Sequence, residues 1–398
     1  MSNNYVNPND PSRRQPYQYQ PQGSQSPRSQ PPDSSYSAPT IPVRQGNNNQ
    51  ARIPYPYSQS GPQSRPKRRR KGCMIGCLGV LAILVIFAIL AGTTVSKALA
   101  FGSAISPKAP LSTETGYMTT SQRTSLLIMG YGGSGHDGAY LTDSLVVISL
   151  MPQSQHTSLV SVPRDLWVQN PYEGQGVYTK LNALYSDASQ NNTNPIAGGN
   201  ATAQKVQTVT GLNVQYWLTI NFSGFQDFID SIGGIDVNVP DAFTANYPAN
   251  DDPTVNASWT TVHFDKGNQH LDGKSAIEYA RARYVTDNLA EASDFARSVR
   301  QQIIIKAALA KVKSISTWPK LLDAQNALQK AVYTNMSLAD LAGFALKMDL
   351  NSPQTAHIGL GVDNVMAYDT SSDGQSIVVP QNYDWPAVQD YVQQHLYA

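Results

Sequence analysis

Cysteine is nearly absent from this 398-residue chain: Cys73 and Cys77, the only two, both stand at the start of one apolar run. No disulfide framework, zinc site or cysteine nucleophile can therefore lie in the main domain, whose stability must come from its core. Charge is sparse too, with Asp, Glu, Lys and Arg making up 14% of residues, against about a quarter in an average soluble domain. The chain lacks a Gly-x-x-x-x-Gly-Lys-Ser/Thr phosphate loop, a Ser nucleophile elbow and a zinc helix, which excludes the chemistries those motifs carry. Neither an internal repeat nor an acid pair of glycosidase type is visible.

The charges that are present are split. Residues 1–71 hold eleven Lys or Arg against Asp10 and Asp33, a net of +9, which leaves the rest of the chain at −8. An acidic domain excludes a general nucleic-acid surface there, and no nucleic acid is expected as partner. Residues 1–66 are rich in Pro, Gln, Ser, Asn and Tyr without apolar periodicity, a composition that reads as disordered. After Lys67-Arg68-Arg69-Arg70-Lys71, residues 72–92 run without a charge, long enough to cross a hydrocarbon core about 30 Å thick. The expected organisation is a basic cytoplasmic tail (1–71), a transmembrane helix (72–92), a linker (93–119) and an extracytoplasmic domain (120–398). The basic flank sets the orientation. A cleaved signal peptide ending near Ala98-Leu99-Ala100 is the rival reading, but the apolar run is longer than the usual h-region and follows a long leader. The two cysteines are either lipidated or ordinary apolar helix residues.

Beyond the linker, short apolar stretches at Leu126–Met129, Ser144–Leu150 and Thr157–Val162 predict adjacent core strands. Strand-like runs at Tyr216–Ile220 and Ile235–Val239 alternate with helical patterns at Ala203–Thr210 and Phe222–Ser231. Helices are expected at Lys274–Ala282, Ala296–Val312, Trp318–Val332 and Ser337–Met348, then two short strands near His357–Leu360 and Ser376–Val379 and a last helix from Trp385. The pattern predicts an α/β fold, a central mixed sheet covered by helices on both faces. Segments 186–202 and 245–262 read as long surface loops.

Arginine is scarce beyond the apolar run: six residues against twelve lysines, and five of the six fall in three motifs. Guanidinium grips phosphate or carboxylate oxygens in pairs and keeps its charge, so sparing use points to anion binding. An isolated exposed arginine would default to a surface salt bridge; the concentration in motifs argues against that. In SVPRDLWV, Pro163 stops a strand and presents Arg164 and Asp165 at its carboxyl end, where α/β folds bind ligands. In EYARARY, Arg281 and Arg283 stand two apart as a helix ends, and extended backbone would point both the same way. In SDFARSVRQQ, Asp294, Arg297 and Gln301 share one helical face. Arg300 stands at the edge of that face and is expected to pair with a carboxylate on the domain surface.

Between the first two strands, GYGGSGHDGAYLTDS lets backbone approach a ligand closely and carries Asp137 and Asp143. Magnesium takes one or two carboxylates plus phosphate oxygens, which these two aspartates can supply; the alternative for Asp143 is a turn cap. His136, with no partner visible in the sequence, reads as a solvated polar residue. Phe222, Phe225, Phe228 and Ile229 suit either a lipid-binding wall or an ordinary core.

The succession LLIMGYGG, LTDSLVVISL, SVPRDLWV, YTKLNALY, INFSGFQDFIDSIGGIDVNVP, LDGKSAIEYARARY and SDFARSVRQQ resembles the LytR-CpsA-Psr proteins of bacterial envelopes, over about residues 125–312. The resemblance implies an α-β-α sandwich with an apolar pocket for a polyprenyl tail. It also implies a Mg²⁺-dependent transfer of a glycopolymer phosphate from a polyprenyl-pyrophosphate carrier to a peptidoglycan sugar hydroxyl, at the cell membrane. By motif, Asp143 is then a magnesium ligand, and Arg164, Arg281, Arg283, Arg297 and Gln301 hold the pyrophosphate. Asp165 and Asp294 orient the arginines. Many family members carry an acid shortly after the first strand's Gly and an Arg before the Thr-Asp pair, where this chain has Gly130-Tyr131-Gly132 and Leu141-Thr142; Asp137 is the candidate replacement for the acid. Two rival functions use the same sequence: a hydrolase with water as acceptor, and a membrane-bound regulator or binding module.

Overall fold

The computed structural model describes residues 95–106, 121–136, 138–248, 258–317, 320 and 328–396. The basic tail, the apolar run 72–92, Asp137, the Asp294 side chain and most of the helix expected over 318–332 lie outside what is described. Among the described residues no helix is long and apolar enough to cross a membrane.

The apolar stretches at the start of the domain form β1 (Thr124–Tyr131), β2 (Thr142–Leu150) and β3 (Thr157–Ser161), paired antiparallel in sequence order. β6 (Val214–Asn221) lies parallel to β1, β12 (Val332–Thr334) antiparallel to β6, and β13 (Ala356–Gly359) parallel to β3. The result is a six-stranded mixed sheet, β12-β6-β1-β2-β3-β13.

Side chains alternate across a pleated strand, and here both faces are buried. Leu127, Met129, Val147 and Val160 pack with α1 (Leu181–Ser189), α2 (Pro195–Thr210) and α7 (Trp385–His395) through Leu184, Val206 and Val388. Leu126, Val146, Ile148 and Leu159 pack on the other side with α5 (Asp294–Lys313) and α6 (Leu338–Lys347) through Leu309 and Phe344. This is the expected α-β-α layering. Each such side chain withdrawn from water contributes about 1.5–3 kcal/mol, and the two faces together stabilise a fold that has no cross-links.

A second apolar cluster sits beside the sheet. α3 (Phe222–Ser231), β7 (Ile235–Val239), β8 (Phe243–Pro248), β9 (Trp259–Phe264), β10 (Gly267–Leu271) and α4 (Gly273–Arg281) enclose Ile229, Val237, Phe243, Phe264 and Tyr279.

Two expected loops need correction. Residues 186–189 end α1 and residues 195–202 open α2, whose Asn194 cap accepts from the Ala197 amide at 3.2 Å. Composition misled there for a packing reason: a Cβ on Gly199 would lie 2.4 Å from the Trp217 ring, so glycine lets α2 settle on β6. Within 245–262 the described residues other than Ser258 belong to β8 and β9. The chain also forms a strand that the sequence did not suggest, β14 (Met366–Thr370), hairpinned to β15 (Ser376–Pro380). A shorter hairpin joins β4 (Trp167–Gln169) and β5 (Tyr178–Lys180).

Candidate active site

β1, β3, β6 and β13 share one direction and β2 runs against them. Their carboxyl ends therefore meet the start of β2 at one edge of the sheet, the edge at which open α/β sheets bind ligands. Gly130 pairs with Ser144 there, which sets Asp143 beside the glycine-rich loop. β3 delivers Arg164 and Asp165 to the same edge.

A cavity of about 1080 Å³ opens at this edge, and Asp143, Arg164, Asp165, Arg281, Arg283, Arg297 and Gln301 all line it. Three motifs, the first more than a hundred residues before the other two, thus converge on one space. Six cationic side chains, Lys180 and Lys274 included, face four carboxylates among the lining residues, so the cavity favours an anion.

Arg164 is held between two acids. Nη1 forms a short ion pair with Asp143 Oδ1, and Nε lies 3.4 Å from Asp165 Oδ2, which is also reached on Oδ1 by Lys180 at 3.1 Å. Burial alone would weaken the Arg164 charge, but Asp143 and Asp165 override it and raise its pKa. Burial likewise disfavours the Asp165 carboxylate, yet Arg164, Lys180 and Arg283 hold it below the ordinary range. Asp165, expected to orient an arginine, thus lies against Arg164.

At the end of α4, Ala282 turns extended with φ −49° and ψ 122° and is buried, so Arg281 and Arg283 flank it and both line the cavity. The Arg281 guanidinium lies 4.2 Å from the Phe222 ring centre and donates to His136 Nε2 at 2.6 Å. An arginine has only donors, so Nε2 is the acceptor in this contact. His136 also meets Phe222 edge-on. Its ring packs over Gly132, where a Cβ would come within 2.4 Å of it. Read from sequence as a solvated residue, His136 instead lines the cavity; the Gly-rich loop was the available signal, but its partner lies 145 positions away.

On α5, Arg297 lines the cavity one turn before Gln301. Gln301 Oε1 accepts from Ser144 Oγ at 3.1 Å, and Gln302 donates to Ser161 Oγ at 2.9 Å, which pins the helix over β2 and β3. Asp294 opens α5 behind the Ser293 cap. Arg300 differs from expectation. It does pair with a carboxylate, Glu291 at 2.5 Å, but its side chain is 1% exposed, and it donates to the carbonyls of Tyr279, Ala282 and Glu291. It is interior scaffolding under the Arg281–Arg283 segment.

The cavity has an apolar side as well. Ile128, Ile220, Phe222, Phe225, Ile277 and Ile305 line it, whereas Phe228 and Ile229 belong to the second cluster. Of the four aromatic and aliphatic candidates, two face the cavity.

Magnesium asks for little protein here. Among the described residues no three His, Cys, Asp or Glu side chains gather as a metal site. Asp143, with Oδ1 engaged by Arg164 and Oδ2 left over, fits an ion carried mainly by phosphate oxygens.

A model of the LytR_cpsA_psr family matches residues 90–382. The chain is 29% identical over 274 residues to the polyisoprenyl-teichoic acid–peptidoglycan teichoic acid transferase TagU of Bacillus mycoides, covering 67% of this chain and 80% of that protein. With TagV of Bacillus subtilis, which carries the same transferase description, it is 31% identical over 226 residues, 56% of this chain and 52% of that protein. The crystal structure of Bacillus subtilis TagV superposes with a TM-score of 0.51 at 27% identity, covering 70% of this chain and 98% of that one. Protein gbs0355 from Streptococcus agalactiae shares the fold, with a TM-score of 0.53 at 24% identity over 72% of this chain and 91% of that one.

Proposed function

The chain belongs to the LytR-CpsA-Psr family, and from that premise we propose that it transfers a glycopolymer phosphate from a polyprenyl-pyrophosphate carrier to a peptidoglycan sugar hydroxyl. The observation that carries the reading is the two-sided cavity: guanidiniums at the sheet edge, and a group of isoleucine and phenylalanine side chains on another part of its wall. That matches a ligand with a pyrophosphate head and a hydrocarbon tail. The transferases TagU and TagV, named for a polyisoprenyl-linked teichoic acid and a peptidoglycan acceptor, support transfer of a glycopolymer to peptidoglycan.

In this reading Arg164, Arg281, Arg283 and Arg297 hold the pyrophosphate oxygens, and Gln301, fixed by Ser144, adds a neutral polar contact. The acceptor hydroxyl oxygen bonds to the glycopolymer-side phosphorus. The bond from that phosphorus to the bridging oxygen breaks, polyprenyl phosphate leaves, and the hydroxyl proton passes to water. Fixed guanidiniums stabilise charge as it moves onto the leaving oxygens. Asp143 would hold Mg²⁺, whose chemistry here is to neutralise phosphate charge. His136 and Phe222 keep Arg281 in place, and Asp165 with Lys180 keeps Arg164 aimed. The membrane enters as the source of the lipid donor, with residues 72–92 as the proposed anchor and the domain on the outer side.

The test is mass-detected turnover of a polyprenyl-pyrophosphate-linked sugar by the full chain in detergent, with Mg²⁺ or with chelator, and with or without peptidoglycan fragments. Sugar phosphate on the peptidoglycan is the expected product. Polyprenyl phosphate formed with no labelled peptidoglycan would show the hydrolase instead, and binding without turnover would show the binding module.

A further inference from the structure

The carboxyl-terminal hairpin opens a second hollow next to the cavity. The hairpin is tied to the arginine loop: the Val378 amide donates to the Asp165 carbonyl at 3.0 Å, and Leu166 bridges to Val378. Between β14–β15 and β4–β5 lies a space of about 420 Å³, walled in part by Trp167 and Tyr178, which also line the main cavity. The two hollows are therefore neighbours across one aromatic wall. Asp373 and Gln375, from the hairpin turn, reach the main cavity.

The wall is aromatic and exposed. The Trp167 and Tyr178 rings stack, with centres 6.4 Å apart and planes at 23°. Tyr178 is 49% exposed and Tyr383 is 64% exposed, and Trp385 completes the lining. Tyr383 is also held in place at a cost. Asn382 and Tyr383 both take left-handed backbone, with φ of 55° and 57°, a region unfavourable by roughly 1 kcal/mol or more for residues with side chains. Its hydroxyl donates to Asp369 and keeps that carboxyl below the usual range, so Asp369 is anionic at neutral pH. A surface tyrosine without a ligand has no need of either restraint.

Flat rings flanked by hydroxyls and a carboxylate suit a pyranose. The C–H face of the sugar packs on the electron-rich ring face, and sugar hydroxyls donate to the oxygens around it. The charge pattern separates this hollow from its neighbour: among the described residues no Lys or Arg lines it, and Asp369 does. A phosphate-bearing chain would be repelled there, whereas a glycan without phosphates would not. We propose that the hollow between β4–β5 and β14–β15 is the acceptor subsite, which holds an N-acetylhexosamine glycan strand against Trp167, Tyr178 and Tyr383. This assignment rests on the transferase reading.

The subsite is tested by titrating the full chain in detergent with N-acetylglucosamine tetrasaccharide and, separately, with an oligo(glycerol phosphate), followed by tryptophan fluorescence. The tetrasaccharide is expected to bind, and Tyr383→Ala to weaken it about five- to tenfold, the loss that one aromatic contact of about 1 kcal/mol implies. Tyr178→Ala, on a different strand, should weaken it similarly, which guards against a misfolded single variant. No tetrasaccharide binding by the wild type, or wild-type affinity in both variants, overturns the subsite. So does binding of the glycerol phosphate oligomer that both variants lose. Binding is read without donor, so donor turnover in the absence of tetrasaccharide binding would remove the subsite and leave the catalytic reading standing.

Discussion

Arg164 and Arg300 are both enclosed, with side chains 18% and 1% exposed, and they do opposite work. Arg300 spends its donors on the carbonyls of Tyr279, Ala282 and Glu291, on the Glu291 carboxylate, and stacks 4.9 Å from the centre of Phe243. Arg164 is held by carboxylates alone and stands on the wall of a cavity. A guanidinium saturated by backbone is architecture. One steered by acids toward open space is available to a ligand.

The comparison breaks most visibly at Arg300. Arg300→Ala would leave Glu291 and three carbonyls without their donor and should lower unfolding stability by about 3–5 kcal/mol in urea titrations. Arg300→Lys should recover little, since one ammonium cannot span those partners; wild-type stability in either variant would contradict the scaffolding role. Arg164→Ala should instead cost turnover, about 10²–10³-fold, the loss typical of one donor to developing charge, with a far smaller change in stability than Arg300→Ala. Normal turnover would remove Arg164 from the clamp. Arg281→Lys keeps the charge but loses the flat contact with Phe222, and a drop of about tenfold in turnover is expected; equal rates would show that charge alone suffices.

The smallest effect concerns acid. The Asp165 carboxyl is held below its ordinary range in the folded protein, so the unfolded chain binds that proton more readily. The resulting stability is present above the usual carboxylate pKa of about 3.9 and is lost as pH falls through the lower folded value. Asp165→Asn should therefore be slightly less stable at neutral pH and decline less steeply below about pH 4. Parallel stability curves for variant and wild type would contradict that pairing.

Much of the site was legible because its chemistry is local. Pro163 ends β3 just before Arg164, and alternation across a buried Ala282 places Arg281 and Arg283 together. Helical spacing links Arg297 to Gln301. Five of the six strands of the sheet were legible from their apolar runs for the same reason, whereas β12 begins at Val332, where a helix was expected to end. What escaped depends on distant partners. Arg300 shares a motif with Arg297, but two of the carbonyls that receive it come from the end of α4 and the residue after it. His136 acquires a role only when α4 brings Arg281 to it. The start of α2 hid behind Gly198, which packs against Tyr185, and Gly199, which packs against Trp217. β14 hid in a polar stretch, although the Asp373-Gly374 step between it and β15 is a turn signal.

The account stands most directly on where the pyrophosphate binds. A crystal structure of the protein with a short-chain polyprenyl pyrophosphate and Mg²⁺ should show the two phosphates between Arg164, Arg281, Arg283 and Arg297, with the hydrocarbon along Ile128, Ile220 and Phe225. Phosphates bound away from these arginines, or a chain lying outside the cavity, would contradict it.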